Sequence, residues 1–362
     1  MPVHVTLQFA ASRPTSVLLA LAAAACAYLF LLNRVLIQMR DARHKSVLIR
    51  AGGLLSVAVA GALGYLAAGT AWIIIPVAIL TITALGEVRR LIVRRRCAGS
   101  PPVEVNKGGV SWRKPNTTSD LAVRRYVIEA PTWRGPTLRV AHISDLHLNS
   151  HLPLAYYEEV MRRVADARPD LIFFTGDFVT HPQFVDLLPN ILSLARGRLG
   201  AFGVLGNHDY WADPAAIAAT VGATGVTLLR DAAVRVPVGE GRHILIAGCE
   251  SPWSSPTPPP IARPAPGELA LLLTHTPDNV YRLSRLGYAA IFAGHYHGGQ
   301  IRIPGLGSLV VPSKYGRRFD HGHFVVNNTH LFVTAGVGSA EPPLRLWCQP
   351  DVFIVDVAGQ HG

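Results

Sequence analysis

The segment Leu138-Arg-Val-Ala-His-Ile143, with Ser144-Asp145-Leu146-His147 directly after it, decides how this chain should fold. Its first six residues are mostly apolar and predict a short buried strand. Asp145 and His147 follow where that strand should end, so a carboxylate and an imidazole could close on one metal ion. An isolated Asp-x-His pair is more often a surface feature or a cap. The segment therefore indicates a metal site only if other parts of the chain repeat its pattern.

Four later segments repeat this pattern of polar side chains directly after an apolar run. They are Gly176-Asp177, Gly206-Asn207-His208-Asp209, His275 and Gly294-His295-Tyr296-His297. Strands and helices alternate in the first part of this region, and short strands, among them Leu344–Trp347, are predicted after Gln300. This order predicts an α/β fold with two packed β-sheets flanked by helices. Because sites in α/β folds collect at the carboxyl ends of strands, the five segments should meet there.

The side chains in these segments form a mixed set of oxygen and imidazole ligands. The candidates are Asp145, His147, Asp177, Asn207, His275, His295 and His297. Such a set suits Mn, Fe or Zn better than Ca or Mg. Seven ligands are too many for one tetrahedral ion and suit two divalent ions, which one carboxylate can bridge. A paired-metal site is a known device for phosphoryl hydrolysis.

His208 stands beside a candidate ligand, Asn207, and so should point elsewhere, towards a leaving group. We expect Asp209 to hold its imidazole and to favour the charged form. The alternative is that the three residues form only a loop and a helix cap. Together with the other four segments, the catalytic interpretation is favoured.

Two other segments are candidates for substrate contacts. Lys314, Arg317 and Arg318 could meet a substrate phosphate, and a solvated loop is the alternative interpretation. Trp253, in a Pro-rich loop, could cover the site or touch lipid, although a plain surface aromatic would also explain it.

The N-terminal region is interpreted as membrane-spanning. Apolar residues make up 49% of the chain and charged residues 16%. Long apolar runs predict about three spans at 15–37, 51–68 and 71–86, with the second and third joined by a turn at Gly69-Thr70. The predicted organisation is a transmembrane region over 1–97, a linker over 98–120 and a catalytic domain over 121–362. A cleaved signal peptide is the alternative for the first run, but the second apolar block argues against it.

The charge distribution favours a membrane partner over a nucleic acid. The net charge is +11, and the first 100 residues hold 11 basic and two acidic residues, which leaves the catalytic part nearly neutral. Basic residues follow the first and third apolar runs, so both flanks and the catalytic domain should face the cytoplasm. We expect a multi-pass protein of the cell (inner) membrane and no nucleic-acid partner.

The motifs, in this order, resemble the signature of the calcineurin-like metallophosphoesterases over residues 138–357. Gly298-Gly299-Gln300, Thr334–Ser339 and Pro343-Leu-Arg345 resemble a membrane-associated bacterial branch of that family. This branch includes phosphodiesterases and UDP-2,3-diacylglucosamine pyrophosphohydrolases. The resemblance implies an αββα sandwich and a membrane-anchored hydrolase. It also implies that metal-bound hydroxide attacks a phosphodiester or pyrophosphate bond, in a lipid-linked substrate such as UDP-2,3-diacylglucosamine.

The resemblance also implies a role for each candidate residue. Asp145, His147, Asp177 and His297 would hold one metal, and Asp177, Asn207, His275 and His295 would hold the other, with Asp177 bridging. His208 would be the proton donor or transition-state stabiliser. Many members carry Asp or Arg three residues after the second-motif Asp, and Thr180 at that position puts one substrate contact in doubt.

Other functions remain alternatives. A generic phosphodiesterase could act on phospholipid or cell-envelope substrates, and a non-catalytic sensor could use the same pocket for metal or phosphate. The full ligand set and His208 argue against a sensor. A transporter or scaffold is disfavoured because the second apolar block carries no charged residue that could line a path.

Overall fold

The computed structural model describes residues 12–35, 39, 43–66, 68, 70–106, 113–256 and 260–359. Contacts divide the chain into two compact units. A helical unit comprises Met1–Arg96 with Pro312–Arg318, and a sheet unit comprises Cys97–Val311 with Phe319–Gly362. Leu36, Ile37, Ala67 and Gly69, which belong to the predicted spans and turn, lie outside the described residues.

The described part of the helical unit contains three helices long and apolar enough to cross a membrane. They are α1 (Arg13–Arg34), α2 (Arg43–Leu66) and α3 (Ile74–Arg96), and a short 3₁₀ turn (Ala71–Ile73) precedes α3. Their lengths of 22, 24 and 23 residues exceed the roughly 20 needed to span a bilayer. Pro76 lies in the first turn of α3, where a missing N–H is tolerated. The helix continues past residue 86 because no later residue before Arg96 breaks it.

The sheet unit is built from fifteen strands within the described residues. They are β1 (Glu104–Asn106), β2 (Ala122–Ala130), β3 (Leu138–Ile143), β4 (Leu171–Phe174), β5 (Gly200–Gly203), β6 (Val226–Leu228), β7 (Ala233–Gly239), β8 (Arg242–Cys249), β9 (Leu269–Thr274), β10 (Ala290–Ala293), β11 (Arg302–Ile303), β12 (Gly307–Ser308), β13 (Gly322–Val326), β14 (Thr329–Val333) and β15 (Asp351–Gly359). One sheet has the order β1-β2-β15-β3-β4-β5-β6 and the other β13-β14-β10-β9-β8-β7, while β11 and β12 pair separately.

The central strands of both sheets are parallel and run through two apolar environments. Strands β3 to β6 pair in parallel, as do β8, β9, β10 and β14. On β4, Phe173 faces the layer between the sheets, whereas Ile172 and Phe174 face the helices outside. This is why these strands read as continuous apolar runs rather than as alternating ones.

Helices cover the outer faces of the two sheets. These helices are α4 (Leu154–Asp166), α5 (Leu188–Leu192), α6 (Asn207–Ala212), α7 (Pro214–Ala223) and α8 (Val280–Leu283). The layer between the sheets is aromatic: Phe292 lies 5.1 Å from Phe173 and 5.4 Å from Phe332 between ring centroids. The α/β fold with two packed sheets flanked by helices is therefore confirmed.

One predicted strand, Leu344–Trp347, was wrong. Only Leu346 makes isolated bridges, to Asn116 and Ile301. Trp347 has a φ of 48°, in the left-handed region that ends an extended segment. The segment is irregular, and Arg345 within it is fully buried.

Candidate metal centre

The candidate ligands follow the carboxyl ends of strands in both sheets. Asp145 and His147 follow β3, Asp177 follows β4 and Asn207 opens α6 after β5. In the second sheet, His275 follows β9, and His295 and His297 follow β10. The structure therefore brings together all seven side chains that the sequence singled out.

A first group consists of Asp145, His147, Asp177 and His297, whose ligand atoms all lie within 4.8 Å of one another. The Nε2 atoms of His147 and His297 are 3.1 Å apart. Asp177 Oδ2 lies 3.3 Å from His147 Nε2, and Asp145 Oδ1 lies 3.3 Å from His297 Nε2. All four residues are buried.

A second group consists of Asp177, His275 and His295, with Asn207 beside it. His275 Nε2 lies 3.2 Å from Asp177 Oδ2, 3.1 Å from His295 Nδ1 and 3.0 Å from Asn207 Oδ1. The Asp177 carboxylate thus contacts a histidine of each group. It is placed where a bridging ligand would stand.

The hydrogen bonds of His275 test whether these residues fit a cation. Its Nδ1 lies 2.6 Å from the Thr175 carbonyl oxygen, which can only accept, so Nδ1 carries the proton. In the neutral ring, Nε2 then presents a lone pair to the oxygens of Asp177 and Asn207 and to His295. A cation relieves this repulsion, either as a proton on Nε2 or as a metal ion, and the mixed oxygen and imidazole set fits a divalent metal.

The pKa values indicate the same shortage of positive charge. Burial disfavours a charged His275, yet the charge and hydrogen bond of Asp177, with the charge of Asp145, raise the pKa of His275 to about 9. Burial instead lowers the pKa of His295 and of His297 far below its usual value, which keeps both rings in the neutral form that binds metals.

The backbone at the site is in a conformation that non-glycine residues seldom adopt. The φ angles are 53° at Asp145, 44° at His147, 57° at Asp177, 69° at His295 and 50° at His297. Such left-handed residues cost about 1–3 kcal/mol each and cluster at functional sites. Five candidate ligands share this feature, and nothing in the strand-and-loop pattern of the sequence had indicated it.

Two glycines allow the loops to approach each other. A Cβ atom at Gly206 would collide with the Asp177 carboxylate, and one at Gly294 would collide with Ser144 and with the Asp145 carboxylate. A side chain at either position would therefore displace a candidate ligand.

His208 lies beside the first group without belonging to it. Its ring centroid is 4.7 Å from that of His147 and 4.9 Å from that of Trp211. Its backbone N–H donates to Asp177 Oδ1 at 2.8 Å. The imidazole is half-buried at the edge of the metal groups, where a substrate atom could reach it.

The Asp209 carboxylate makes different contacts from those predicted. Its carboxylate accepts from the backbone N–H groups of Asp177, Phe178 and Gly206 at 2.8–2.9 Å, with Val179 further away. The expectation that it holds the His208 imidazole is not met, because backbone donors occupy its oxygens. Burial and the nearby Asp177 charge raise the pKa of Asp209 to about 7. Asp209 braces the loop that carries Asp177.

Two further residues shape the site. Thr180 Oγ1 lies 3.3 Å from His147 Nδ1, so this position supports a candidate ligand. Buried Glu250 accepts from the Leu205 N–H and from the Tyr210 hydroxyl on either side of the Asn207 segment. Sequence patterns gave no signal for Glu250, because its neighbours are distant in the chain.

Trp253 covers the second group. Its ring centroid lies 5.3 Å from that of His275 and 5.2 Å from that of His295, and the indole remains half-exposed. The interpretation as a plain surface aromatic is therefore replaced by one in which Trp253 packs on two candidate ligands.

The basic residues proposed for substrate binding belong to the helical unit. The segment Pro312–Arg318 groups with the helices, and Arg317 pairs with Glu87 of α3 at 2.6 Å. The substrate-binding role of Lys314, Arg317 and Arg318 stays a prediction.

The chain is similar to known phosphoesterases. Residues 138–299 match the profile of the calcineurin-like phosphoesterases. The uncharacterized metallophosphoesterase YkuE of Bacillus subtilis is 28% identical over 60% of this chain and 77% of its own length. Phosphodiesterase YaeI of Escherichia coli is 27% identical over 60% of this chain and 82% of its own length.

A third relative matches a shorter segment with higher identity. UDP-2,3-diacylglucosamine pyrophosphatase LpxG of Chlamydia muridarum is 40% identical, over 22% of this chain and 26% of its own length. The profile match, the two-sheet fold and these relatives agree with one another. Residues 138–299 therefore carry a calcineurin-like phosphoesterase domain.

Proposed function

We propose that this chain is a membrane-anchored phosphohydrolase that uses two divalent ions to cleave a phosphodiester or pyrophosphate bond. The observation that carries the proposal is the position of Asp177, whose carboxylate contacts a histidine of each metal group. Asp145, His147, Asp177 and His297 would hold one ion, and Asp177, Asn207, His275 and His295 the other. Mn, Fe or Zn suits these ligands best.

The bound ions would supply positive charge for the phosphate oxygens and lower the pKa of water. The protein's own part is to hold seven side chains in place on strand ends. His208 would donate a proton to the departing oxygen, because it lies against His147 but in neither metal group.

The three apolar helices support a membrane anchor. Arg34 ends α1, and Arg94, Arg95 and Arg96 end α3, so basic residues flank the apolar segments. The basic flanks favour a cytoplasmic sheet unit on the inner membrane. Such a tether would hold the domain near lipid-borne substrates.

We also propose that the substrate is lipid-linked, with UDP-2,3-diacylglucosamine as the specific candidate. The relative named for this substrate supports it, although that match is short. The half-exposed indole of Trp253 beside the second metal group offers an apolar contact for the substrate.

The test measures kcat/KM of the full-length protein in mixed micelles for UDP-2,3-diacylglucosamine and for its deacylated form. We expect at least about a 10-fold preference for the acylated form, which two buried CH₂ groups at ~0.8 kcal/mol each would supply. Asp177→Asn is the inactive control for both substrates. Equal efficiency on the two would contradict lipid specificity and leave a general hydrolase.

A generic phosphodiesterase acting on phospholipid or cell-envelope substrates is the second candidate. The relative named as a phosphodiesterase favours it, because that match extends over 82% of the relative. Faster cleavage of a simple phosphodiester than of the nucleotide sugar would select this candidate. A non-catalytic sensor is disfavoured by the position of His208 beside the first metal group.

A further inference from the structure

Arg345 is a fully buried arginine whose donors are all directed at neutral acceptors. Its guanidinium donates to the backbone carbonyl oxygens of Ala335 at 2.6 Å, Gly336 and His297 at 3.2 Å, and Gly338. Among the described residues, no carboxylate forms an ion pair with it. Burying a charge without a charged partner costs several kcal/mol unless fixed hydrogen bonds replace water. The carbonyl cluster provides that replacement.

Arg345 contacts the backbone that carries two candidate ligands of the first metal group, His297 and Asp145. The guanidinium lies directly against His297, 3.2 Å from its carbonyl oxygen and 3.5 Å from its Nδ1. It therefore fixes the backbone of a candidate ligand whose φ of 50° is otherwise unfavourable.

Arg345 is connected to Asp145 through the loop from Ala335 to Gly338. The Val337 N–H donates to the Ser144 carbonyl at 3.0 Å, and the Gly338 N–H donates to the Asp145 carbonyl at 2.8 Å. A Cβ atom at Gly336 would collide with the Asp145 side chain. By holding the carbonyls of this loop, Arg345 holds the backbone behind Asp145.

Different contacts support the second group. Thr175 fixes His275 through its carbonyl oxygen, and Asp209 braces the loop of Asp177. Glu250 accepts a hydrogen bond from the Leu205 N–H and so holds the segment that carries Asn207. Among the residues that the structure describes, Arg345 contacts no ligand that belongs only to this group.

We propose that Arg345 is a positioning residue for the first metal ion, although it lies outside residues 138–299. The proposal rests on the two-metal function above. Partners that orient metal ligands typically contribute about 10- to 100-fold in metal affinity. Loss of the Arg345 guanidinium should therefore lower the affinity for the first ion and leave the affinity for the second unchanged.

The test titrates Mn²⁺ into chelator-stripped, full-length protein in detergent by calorimetry. Arg345→Met is compared in two backgrounds. His275→Ala leaves only the first ion to bind, and His297→Ala leaves only the second. We expect about a 10- to 100-fold weaker affinity in the His275→Ala background and no change in the other. Arg345→Lys keeps the charge but loses the fork, so its effect should be intermediate.

Arg139→Met is the matched control, because Arg139 pairs with Asp356 at the opposite end of β3. It should lower thermal stability without changing either affinity. Equal weakening in both backgrounds, or unchanged affinity in a folded Arg345→Met protein, would overturn the role. If Arg345→Met does not fold, wild-type affinity in Arg345→Lys would overturn it. Wild-type protein that binds a single ion would instead contradict the two-metal function itself.

Discussion

His208 and Asn207 are neighbours in the chain, yet their side chains meet different parts of the site. Asn207 Oδ1 lies 3.0 Å from His275, whereas the His208 ring packs on His147 and Trp211. Because the two side chains diverge, a substitution at His208 should affect chemistry without removing a ligand.

His208→Ala should keep its metal ions and lose about 10²–10⁴ in kcat, the usual contribution of a positioned acid. The loss should shrink for substrates whose leaving group needs no proton, such as a nitrophenolate. Metal analysis and kcat on good and poor leaving groups check this. A variant that loses an ion, or turns over poor leaving groups normally, would contradict it.

Trp253→Ala should raise KM more than it lowers kcat, because the indole offers contact area and no reacting atom. We expect about a 10-fold loss in kcat/KM, equivalent to ~1.4 kcal/mol. Trp253→Phe should recover most of it. The comparison uses acylated and deacylated substrates with metal content measured in parallel. A loss through metal release alone would show that the indole only packs on its histidines.

The candidate ligands could be predicted from the sequence, because they form a local pattern. The residues that position them could not. Asp145 and His147 can be recognised because they directly follow an apolar run. Asp209 was assigned to His208, but its partners are backbone N–H groups that only the folded loops bring near. Arg345 lies far along the chain from His297, and no local pattern shows that a charged residue will be buried.

Strands of both sheets position the candidate ligands at their carboxyl ends, and the apolar runs in the sequence were enough to predict those strands. The placement of β15 between β2 and β3 could not be read from the sequence, because that pairing joins distant parts of the chain. The wrong prediction of a strand at Leu344–Trp347 has a related cause. An apolar pattern does not reveal that Arg345 turns into the protein.

His142 on β3 gives a test of how the two sheets pack. Its Nε2 lies 2.9 Å from Thr175 Oγ1, and its ring stands 5.2 Å from Phe292 between the sheets. Burial lowers the pKa of His142 to about 3. Between about pH 6.5 and pH 3 the unfolded chain binds a proton here that the folded chain does not, so folding weakens as pH falls.

This one group should remove about 1.4 kcal/mol from the free energy of unfolding for each pH unit below 6.5. His142→Phe should lose that share of the pH dependence, although it is less stable at pH 7.5 without the Thr175 contact. Urea unfolding of both proteins at pH 7.5 and pH 5.5 measures the difference. Parallel pH dependence in the two proteins would contradict a neutral, buried His142.

For the whole molecule, the basic flanks of the apolar helices predict a cytoplasmic sheet unit. A reporter fused after Gly362 should be active only in the cytoplasmic format. Replacing Arg94, Arg95 and Arg96 with Gln should weaken this preference, because positive flanks set orientation. Cleavage of the sheet unit by protease added to intact spheroplasts would reverse the assignment.

In the proposed function, Asp177 joins two metal ions in one hydrolytic site. The most direct measurement is the metal content of the purified full-length protein, followed together with metal-dependent hydrolysis of a bis-phenyl phosphodiester. We expect two ions per chain at full activity and loss of activity on chelation. Asp177→Asn should show both a lower metal content and almost no turnover. Full activity with one bound ion, or with none, would contradict it.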